Sequence, residues 1–398
     1  MTSTPMSKHF ILLMTFAVGV MAANIYYPQS ILGLIAASLG LRPDAAGLIM
    51  TLTQIGYGLG VLLIIPLGDL VENKKLILVM IAVTIVAEFT LGFSRAVAPY
   101  FLASILAGLG TSTVQILVPY TTHLYGKEQR GQIIGSLMSG LMLGIMLSRP
   151  LASIMTDMIS LHAIFYFSAA IMTALLWYLA KVLPRRQPEN LGLKYGALIG
   201  SMKDLVLNTP TLRRRSLYQG LMFGAFCLYW VTVPLMLINS AFQFTQKGVA
   251  LFALAGLAGA VVAPLAGKMA DKGLARRASR LAFSAGILSF ALSHFIVEGS
   301  MFSLAVLVLA SNLLDAGVSM HLVLGQRAIF MIDPKNQSRL NGLYIGMLYV
   351  GGAIGSAVGA WAYLHGGWGL STAIGALAPL AALILLHTET AFKYQEAS

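Results

Sequence analysis

Residues 75–94 read KLILVMIAVTIVAEFTLGFS, and this stretch shows what kind of fold the chain adopts. After Lys75 it carries one charged residue, Glu88, among aliphatic, aromatic and small side chains. A helix needs about 20 predominantly apolar residues to cross the hydrocarbon core of a bilayer, which is roughly 30 Å thick. The stretch therefore predicts a membrane-spanning helix.

The composition of the whole chain agrees with this prediction. Of its 398 residues, 58% are apolar and only 10% are charged, whereas soluble domains carry about 25% charged residues. So few charges cannot cover the surfaces of soluble domains, which excludes an ordinary cytoplasmic enzyme, a nucleic-acid-binding protein and a disordered protein. The single cysteine, Cys227, excludes a disulfide framework and a cysteine-based metal cluster.

Apolar runs bounded by charged residues, Pro or Gly recur along the chain, and the loops between them are short. Each run predicts one membrane-spanning helix, so the expected fold class is an all-α membrane protein with twelve transmembrane helices. The runs, numbered here as spans 1 to 12, lie near 9–36, 44–67, 75–94, 98–122, 131–156, 161–183, 214–239, 247–267, 279–297, 301–326, 341–364 and 368–388.

The distribution of basic residues predicts the orientation of these spans. With both termini placed in the cytoplasm, 22 of the 26 Lys and Arg residues fall in cytoplasmic loops and three fall outside. Cytoplasmic loops of membrane proteins carry an excess of Lys and Arg. The net charge of +12 is therefore interpreted as an insertion signal, and nucleic acid is not expected as a partner.

The longest interruption, residues 184–213, reads PRRQPENLGLKYGALIGSMKDLVLNTPTLR. Its Pro, Gly and charged residues indicate a cytoplasmic linker, and the amphipathic pattern from Tyr195 to Leu207 predicts a surface helix within it. The linker divides the chain into an N-terminal six-helix bundle (1–183) and a C-terminal six-helix bundle (214–398).

The two predicted bundles repeat each other. The loop after span 2 reads GDLVENKK (68–75), and the loop after span 8 reads GKMADKGLARR (267–277). In both, an aspartate at the helix end, Asp69 or Asp271, is followed five residues later by a basic pair. Six-span repeats of this kind are typical of secondary transporters.

These features resemble the major facilitator superfamily over the whole chain. Residues 267–277 resemble the family loop pattern G-x-x-x-D-[RK]-x-G-[RK]-[RK] with one extra residue, and residues 121–135 resemble its loop before span 5. Residues 24–29 (NIYYPQ), 66–69 (PLGD), 338–342 (SRLNG) and 351–359 (GGAIGSAVG) resemble the bacterial arabinose-efflux-like branch of drug:proton antiporters. The chain departs from the family at Ser104, where many proton-coupled members have Arg, and at 144–150, where the antiporter motif is altered.

The resemblance implies a major facilitator fold, with two pseudo-symmetric bundles around a midplane cavity, and transport by alternating access. It also implies a multi-pass protein of the bacterial inner membrane that functions as a monomer with a proton gradient, and no cofactor, as its energy source. Helix-end carboxylates next to basic residues form a cytoplasmic gate in this family. The resemblance assigns that gate to Asp69, Lys74, Arg130, Asp271, Arg276 and Arg339.

Three charged residues lie deep in predicted spans, where a charge costs about 2.5–3.5 kcal/mol and usually faces a cavity or a partner. They are the candidates for proton coupling: Glu88, Arg149 and Asp315. Asp315 lies 14 residues into span 10, roughly 21 Å along the helix and near the midplane. We expect it to exchange protons, unless it pairs permanently with Arg or caps a broken helix.

Arg149, just before Pro150, could hold an anionic substrate, partner an acidic proton carrier, or form a structural ion pair with Glu88. Glu88 lies on a span that is peripheral in the family, which favours a structural partner of Arg149 or a snorkelling carboxylate.

Polar and aromatic residues on the spans that line the cavity in this family are candidates for substrate binding. Tyrosines near a helix end also belong to interfacial aromatic belts, and buried hydroxyl and ring groups also serve packing. Both interpretations stay open for this set: Asn24, Tyr26, Tyr27, Gln29, Gln54, Tyr57, Gln115, Tyr229, Trp230 and Asn312.

The predicted function is proton-coupled export of a small organic molecule, such as a drug, sugar or metabolite. An alternative is proton-coupled uptake of an anionic metabolite or siderophore-like ligand anchored by Arg149, and a lipid flippase is an alternative of another class. The sequence has no G-x-x-x-x-G-K-[ST], H-E-x-x-H or G-x-S-x-G motif. No enzymatic activity, catalytic residue or metal site is therefore predicted.

Overall fold

The computed structural model describes residues 8–42, 45–125, 130–188, 194–255, 258–333 and 337–389, and these residues form helices joined by short turns. The side chains of 130–132, 256–261, 263, 264, 271 and 334–338 lie outside this description. The helices are α1 (Lys8–Tyr26), α2 (Leu32–Ser38), α3 (Gly47–Leu59), α4 (Asn73–Phe93), α5 (Val97–Thr111), α6 (Val114–His123), α7 (Arg130–Met158), α8 (Ala163–Val182), α9 (Tyr195–Asn208), α10 (Pro210–Asn239), α11 (Gln246–Ala255), α12 (Ala258–Asp271), α13 (Ala275–His294), α14 (Met301–Phe330) and α15 (Gln337–His387).

The all-α membrane architecture predicted from the sequence is confirmed. Within the described ranges, nine helical segments are long and apolar enough to cross a bilayer by length and composition. Segment Arg339–His387 contains both predicted spans 11 and 12. Gly366 and Gly367 interrupt its helical backbone and so divide it into two helices. Gly367 adopts φ 60°, a conformation that glycine reaches without steric cost. With α11 and α12 at predicted span 8 and α13 at predicted span 9, the arrangement is consistent with twelve spans.

The first half of the chain, residues 8–182, packs through glycines between α1 and α7. A methyl group added at Gly144 would collide with the carbonyl oxygen of Gly19, and one added at Gly140 would collide with that of Thr15. Because neither helix has a side chain at these crossing points, the two backbones approach closely.

The second half, residues 210–389, repeats this packing between α10 and α15. A methyl group added at Gly351 would collide with the carbonyl oxygen of Gly220, and one added at Gly355 would collide with that of Gly224. The glycines of residues 351–359 therefore hold two helices of the same half together.

The two halves meet where α3 packs along α15 and where α7 packs along α11. Thr51 on α3 donates its hydroxyl proton to the Ala353 carbonyl at 3.0 Å. One turn earlier, Gly47 lies against Ser356 and Ala360, and two turns later Gly58 faces the Gly346 carbonyl. Small residues on both helices permit this contact over several turns.

Two predicted spans are broken near their polar residues. The run at 9–36 is not one helix: α1 ends at Tyr26, a 3-10 turn follows at Tyr27–Ser30, and α2 begins at Leu32. Pro28 lies in this turn and has no N–H to continue the α-helical ladder. The run at 98–122 divides into α5 and α6 at Ser112 and Thr113, whose hydroxyls donate back to the carbonyls of Leu109 and Gly110.

A short helix between the halves, α9, connects their ends. The hydroxyl of Tyr195 donates to the Leu63 carbonyl at 2.8 Å, and the Ser201 hydroxyl accepts from Arg339 Nη1 at 3.0 Å. Leu198 and Met202 are buried beneath the helix. We call the end of the bundle that carries α9, Asp69 and Arg339 the linker end, and the opposite end, which carries Arg95 and Glu298, the far end.

Candidate functional site

Two of the predicted deep charges contact one tryptophan where the halves meet, one at the face of its ring and one at the edge. Trp230 on α10 donates its indole Nε1–H to Asp315 Oδ1 on α14 at 2.9 Å. The guanidinium carbon of Arg149 on α7 lies 4.0 Å from the centroid of the Trp230 ring, within the range of a cation–π interaction. All three side chains are buried. A cation from the first half and a carboxylate from the second thus share one indole.

Arg149 has further partners at the centre. Its Nε–H donates to Gln29 Oε1 at 2.8 Å, and its guanidinium lies 5.1 Å from the Phe226 ring centroid and 5.7 Å from that of Tyr26. Arg149 Nη2 and Gln29 Nε2 are buried and have no hydrogen-bond partner. Buried donors of this kind are uncommon and costly unless an acceptor reaches them. The centre therefore presents donors that lack an acceptor.

Glu88 is not the partner of Arg149, which corrects one interpretation left open by the sequence. Glu88 is fully buried in α4, and neither carboxylate oxygen has a hydrogen-bond partner. Its electrostatic neighbours are Tyr27 and Tyr100. It therefore lies inside the first half, apart from the Arg149 and Asp315 pair.

A second polar cluster joins the halves through Gln54. Its Nε2 lies 3.2 Å from Cys227 Sγ on α10 and 3.2 Å from Ser356 Oγ on α15, and all three residues are buried. Cys227 is also close enough to Arg149 to act on it electrostatically. This cluster therefore lies beside the Arg149 site.

Aromatic side chains of α3, α10 and α15 pack next to these polar groups. The Tyr57 ring stacks on that of Tyr349 with 4.1 Å between centroids, and Gln115 Nε2 donates to the Tyr57 hydroxyl at 3.1 Å. Phe223 contacts Tyr349 at 5.2 Å and stacks on Phe226 at 5.5 Å. These rings and Trp230 form an aromatic wall around the centre.

Of the predicted substrate-binding residues, the structure gathers six around Arg149 and its aromatic wall, and places Tyr229 against the outside of that wall, 5.9 Å from Trp230 between ring centroids. The other three lie elsewhere. The first group comprises Tyr26, Gln29, Gln54, Tyr57, Gln115 and Trp230. Asn24 accepts from Ser168 on α8, and Tyr27 lies near Glu88 inside the first half. Tyr229 bonds Ser311, and Asn312 donates to the carbonyls of Ala255 and Val308.

Sequence reasoning missed several residues of this centre. They are Phe223, Phe226, Cys227, Tyr349 and Ser356. The spacing of Phe223, Phe226, Cys227 and Trp230 is i, i+3, i+4 and i+7, which places them on one face of α10. That periodicity, combined with Trp230 as a candidate, would have identified three of them.

A cavity of about 440 Å³ extends between the halves toward the far end of the bundle. It is lined by apolar residues of α2, the connection between α2 and α3, α10 and α15, among them Leu32, Pro234, Leu235 and Tyr363. Gln29 also lines it and accepts the hydrogen bond from Arg149. The cavity is therefore lined by a residue that is hydrogen-bonded directly to the Arg149 guanidinium.

A second, more open groove of about 340 Å³ runs along the junction of α3 and α15. Ile55, Leu59, Val350 and Ile354 line it, and most of its surface is apolar. Its polar members, Thr51 and Gln54, are engaged in hydrogen bonds to the opposite half. These contacts close the floor of the groove, and the flippase prediction stays untested.

At the linker end, the predicted gate is only partly assembled in the described residues. Arg339, Arg186 and His123 lie close enough to act electrostatically on the Asp69 carboxylate. Arg339 belongs to the second half and Asp69 to the first, so this attraction acts between the halves. Lys74 lies in the first turn of α4.

The remaining predicted gate residues are Arg130, Asp271 and Arg276. The side chains of Arg130 and Asp271 lie outside the described part of the structure. Arg276 donates to the carbonyls of Leu386 and Glu389 at 3.3 and 3.1 Å. It thus binds the end of α15 in its own half, where the carbonyls of a helix C-terminus lack intrahelical partners, and its assignment to the gate stays a prediction.

Across the described residues, no three His, Cys, Asp or Glu side chains lie together as metal ligands would. The site instead consists of one cation, one carboxylate, aromatic rings and amide groups. Such a set can bind a small polar or amphipathic molecule and exchange a proton, since it holds an ionisable carboxylate beside unsatisfied donors.

Comparison with known proteins agrees with this architecture. The sequence profile of the Major Facilitator Superfamily matches residues 11–328. The chain is 32% identical over 363 residues to "Uncharacterized transporter YgaY" of Escherichia coli O157:H7, covering 91% of each protein. It is 30% identical over 365 residues to "Probable transporter SCO4007" of Streptomyces coelicolor, covering 91% of this chain and 83% of that protein.

Among solved structures, a POT family transporter crystallised with 5-aminolevulinic acid is similar with a TM-score of 0.75 at 15% identity, covering 95% of this chain and 96% of that one. The likeness extends over both halves of the fold. The matched profile, the relatives and the fold together show that the chain is a membrane transporter and belongs to the Major Facilitator Superfamily.

Proposed function

We propose that this transporter couples the movement of a small organic molecule to protons, with Asp315 as the proton-binding group. The observation that carries the proposal is the position of Asp315: buried between the halves, bonded to Trp230 and electrostatically coupled to Arg149. A carboxylate there can lose or gain a proton and change the charge of the site. Intramembrane ionisable residues of transporters commonly serve as proton relays.

Transport would proceed by alternating access, with one half rocking against the other around this centre. The linker end, which carries most of the Lys and Arg residues, would face the cytoplasm of a bacterial inner membrane. Residues 8 and 389 would then lie on the cytoplasmic side. The protein would work as a monomer without a bound cofactor.

Export in exchange for protons is the direction supported by the resemblance of residues 24–29, 66–69 and 338–342 to the efflux branch. Proton-coupled uptake of an organic anion is a second candidate. It is favoured by one observation, the buried Nη2 of Arg149 that has no partner. The two candidates differ in the direction of proton movement relative to substrate.

The test uses the full chain in proteoliposomes that contain a pH-sensitive dye. A transported compound should move protons in the wild type, in the opposite direction for export by exchange and in the same direction for coupled uptake. Asp315→Asn should abolish proton movement while exchange of labelled for unlabelled substrate continues. Asp157→Asn, which removes an exposed carboxylate at the far end, is the matched control. Retained proton movement in Asp315→Asn would reject the proposal.

A further inference from the structure

The unpartnered donors of the centre point to the charge of the ligand. Gln29 Oε1 accepts from Arg149 Nε at 2.8 Å, which fixes the orientation of the amide and turns its Nε2 donor away from Arg149. Both Gln29 Nε2 and Arg149 Nη2 are buried without a partner. A carboxylate offers two oxygens and satisfies two such donors at once, and Arg is well suited to bind it.

The surroundings of these donors point to the shape of the ligand. Trp230, Phe226 and Tyr26 surround the guanidinium, with Phe223 and Tyr349 beyond them. The cavity that reaches Gln29 is lined mainly by aliphatic side chains. A flat apolar body attached to an acidic group fits both surfaces, because the rings pack against it while the donors bind the acid.

We propose that the transported molecule is an organic anion with a flat apolar body, and that Trp230 links its binding to protonation of Asp315. This inference rests on the proton coupling proposed above. It adds the chemical class of the ligand, its anchors Arg149 and Gln29, and a positioning role for Trp230.

The charges of the site explain why proton and anion would bind together. With Asp315 ionised, its charge balances that of Arg149, and an incoming anion meets the repulsion of the carboxylate. With Asp315 protonated, the site keeps the single positive charge of Arg149. Such charges interact strongly because they are buried away from water. Each ligand therefore raises the affinity of the other by the same factor.

Trp230 is the physical link between the two charges. Its Nε1–H donates to a carboxylate, and hydrogen bonds to charged acceptors are about twice as strong as neutral ones. The face of the same ring holds the Arg149 guanidinium. Protonation of Asp315 weakens the hydrogen bond that fixes the indole, so the indole and the Arg149 guanidinium on its face become free to turn toward the anion.

Other titratable groups around this pair are few in the described residues. Tyr229 faces Asp315, while Tyr26 and Cys227 act on Arg149. On α14 itself, His321 is bonded to Gln219. The helices packed on α14 carry their other described charged and imidazole side chains toward their ends or beside the break in α15: Arg213, Arg214 and Arg215 on α10, Lys247 on α11, Lys268 on α12, Arg276, Arg277, Arg280 and His294 on α13, and Arg339, His365 and His387 on α15. Asp315 is therefore the group that we assign to the linkage.

Joint binding of a proton and an anion bears on the direction of transport. If proton and anion load together, they cross the membrane together. A proton gradient directed into the cell would then drive uptake, which favours the second candidate over export.

The first experiment measures binding to the purified full chain at pH 8 and pH 6, by calorimetry in detergent. The probes are benzoate and its hydroxy and amino ring derivatives, each with the matching neutral amide, and benzylammonium as a cation. A carboxylate should bind about 10- to 100-fold more tightly than its amide, the range expected for charged hydrogen bonds. Its Kd should fall toward low pH by up to about tenfold per pH unit, the limit for one linked proton. Equal binding of acid and amide, or preference for the cation, would overturn the proposal.

The second experiment tests Trp230 with a matched tryptophan. Trp230→Phe keeps a ring but removes the Nε1–H donor, and should reduce the pH dependence of carboxylate binding to less than about threefold per pH unit. Trp368→Phe is the control, because Trp368 is also buried in the second half, donates to the Ser293 carbonyl at 2.6 Å and contacts Tyr229. It should retain the full dependence. An unchanged dependence in Trp230→Phe, with folding intact, would refute the role of the indole.

Asp315→Asn separates failure of the inference from failure of the proposed function. This variant should bind carboxylates independently of pH, with an affinity close to that of the wild type at pH 6. If it loses proton-driven transport while the wild type shows no preference for anions, the proton coupling stands and the ligand class is wrong. If proton-driven transport persists in this variant, both proposals fall.

Discussion

The side-chain nitrogen Nε2 of Gln54, in the first half of the chain, lies 3.2 Å from Sγ of Cys227 in the second half. The same nitrogen lies 3.2 Å from Ser356 Oγ. A single amide thus connects α3 to both α10 and α15. Any motion that separates the halves at this level must break these contacts.

Cys227 can therefore report on opening of the contact between the halves. It is the single cysteine of the chain, so alkylation by N-ethylmaleimide has no background from other thiols. Gln54→Ala should raise the alkylation rate at least about fivefold, because it removes two hydrogen bonds that contribute about 0.5–1.5 kcal/mol each. Labelling of the purified protein is followed by mass spectrometry.

The matched control for this prediction is Gln115→Ala. Gln115 bonds Tyr57 within the first half, so its loss removes a glutamine hydrogen bond without breaking one between the halves. Equal labelling rates in the two variants would show that Gln54 does not hold the halves together.

Glycine contacts within each half should be intolerant of the smallest added side chain. Gly144→Ala places a methyl group against the Gly19 carbonyl of α1, and overpacking of this kind typically costs about 1–3 kcal/mol. Gly135→Ala, on the same helix with open space around it, is the control and should not lower stability. The melting temperature in detergent measures both, and equal values would contradict the packing described for α1 and α7.

The attraction between Asp69 and Arg339 should be measurable as a coupling energy. Asp69 is exposed, so we expect only about 0.2–1 kcal/mol, the range for solvent-screened pairs. A double-mutant cycle of Asp69→Asn and Arg339→Gln, read by thermal unfolding, isolates this quantity. The cycle with Asp157→Asn in place of Asp69→Asn should give no coupling, because Asp157 lies at the far end of α7.

Acidification should weaken a contact at the far end of the bundle. The Arg95 guanidinium and His162 Nε2 form a hydrogen bond there, in which a neutral His162 accepts. Partial burial, with Arg95 as a second cause, lowers the pKa of His162 below its usual range near 6.5. The folded protein therefore binds this proton less readily than the unfolded chain does, and stability decreases as pH falls through about 6.5.

The expected size of this effect is below about 1 kcal/mol, since the pair is partly solvated. The melting temperature of the wild type should drop more between pH 7.5 and pH 5.5 than that of His162→Gln. A drop of equal size in the two proteins would contradict the assignment to His162.

Sequence by itself determined the class of the protein and its most unusual residues. Hydrocarbon excludes unpaired polar backbone, so long apolar runs predict helices without any knowledge of their neighbours. The cost of a buried charge likewise singled out Glu88, Arg149 and Asp315 before any contact was known. These inferences depend on the properties of individual segments, which a linear sequence contains.

Tertiary structure decided which of these residues meet. Arg149 could have paired with Glu88 or with Asp315, and only the rotation of α7, α10 and α14 about their axes brings Trp230 and Asp315 to it. The tertiary structure likewise brings Gln54 into contact with Cys227, which lies 173 residues further along the chain. Contacts between helices depend on how side chains from separate segments interlock, and close approach at Gly144 or Gly351 sets that rotation. Single-segment periodicity does not contain this information.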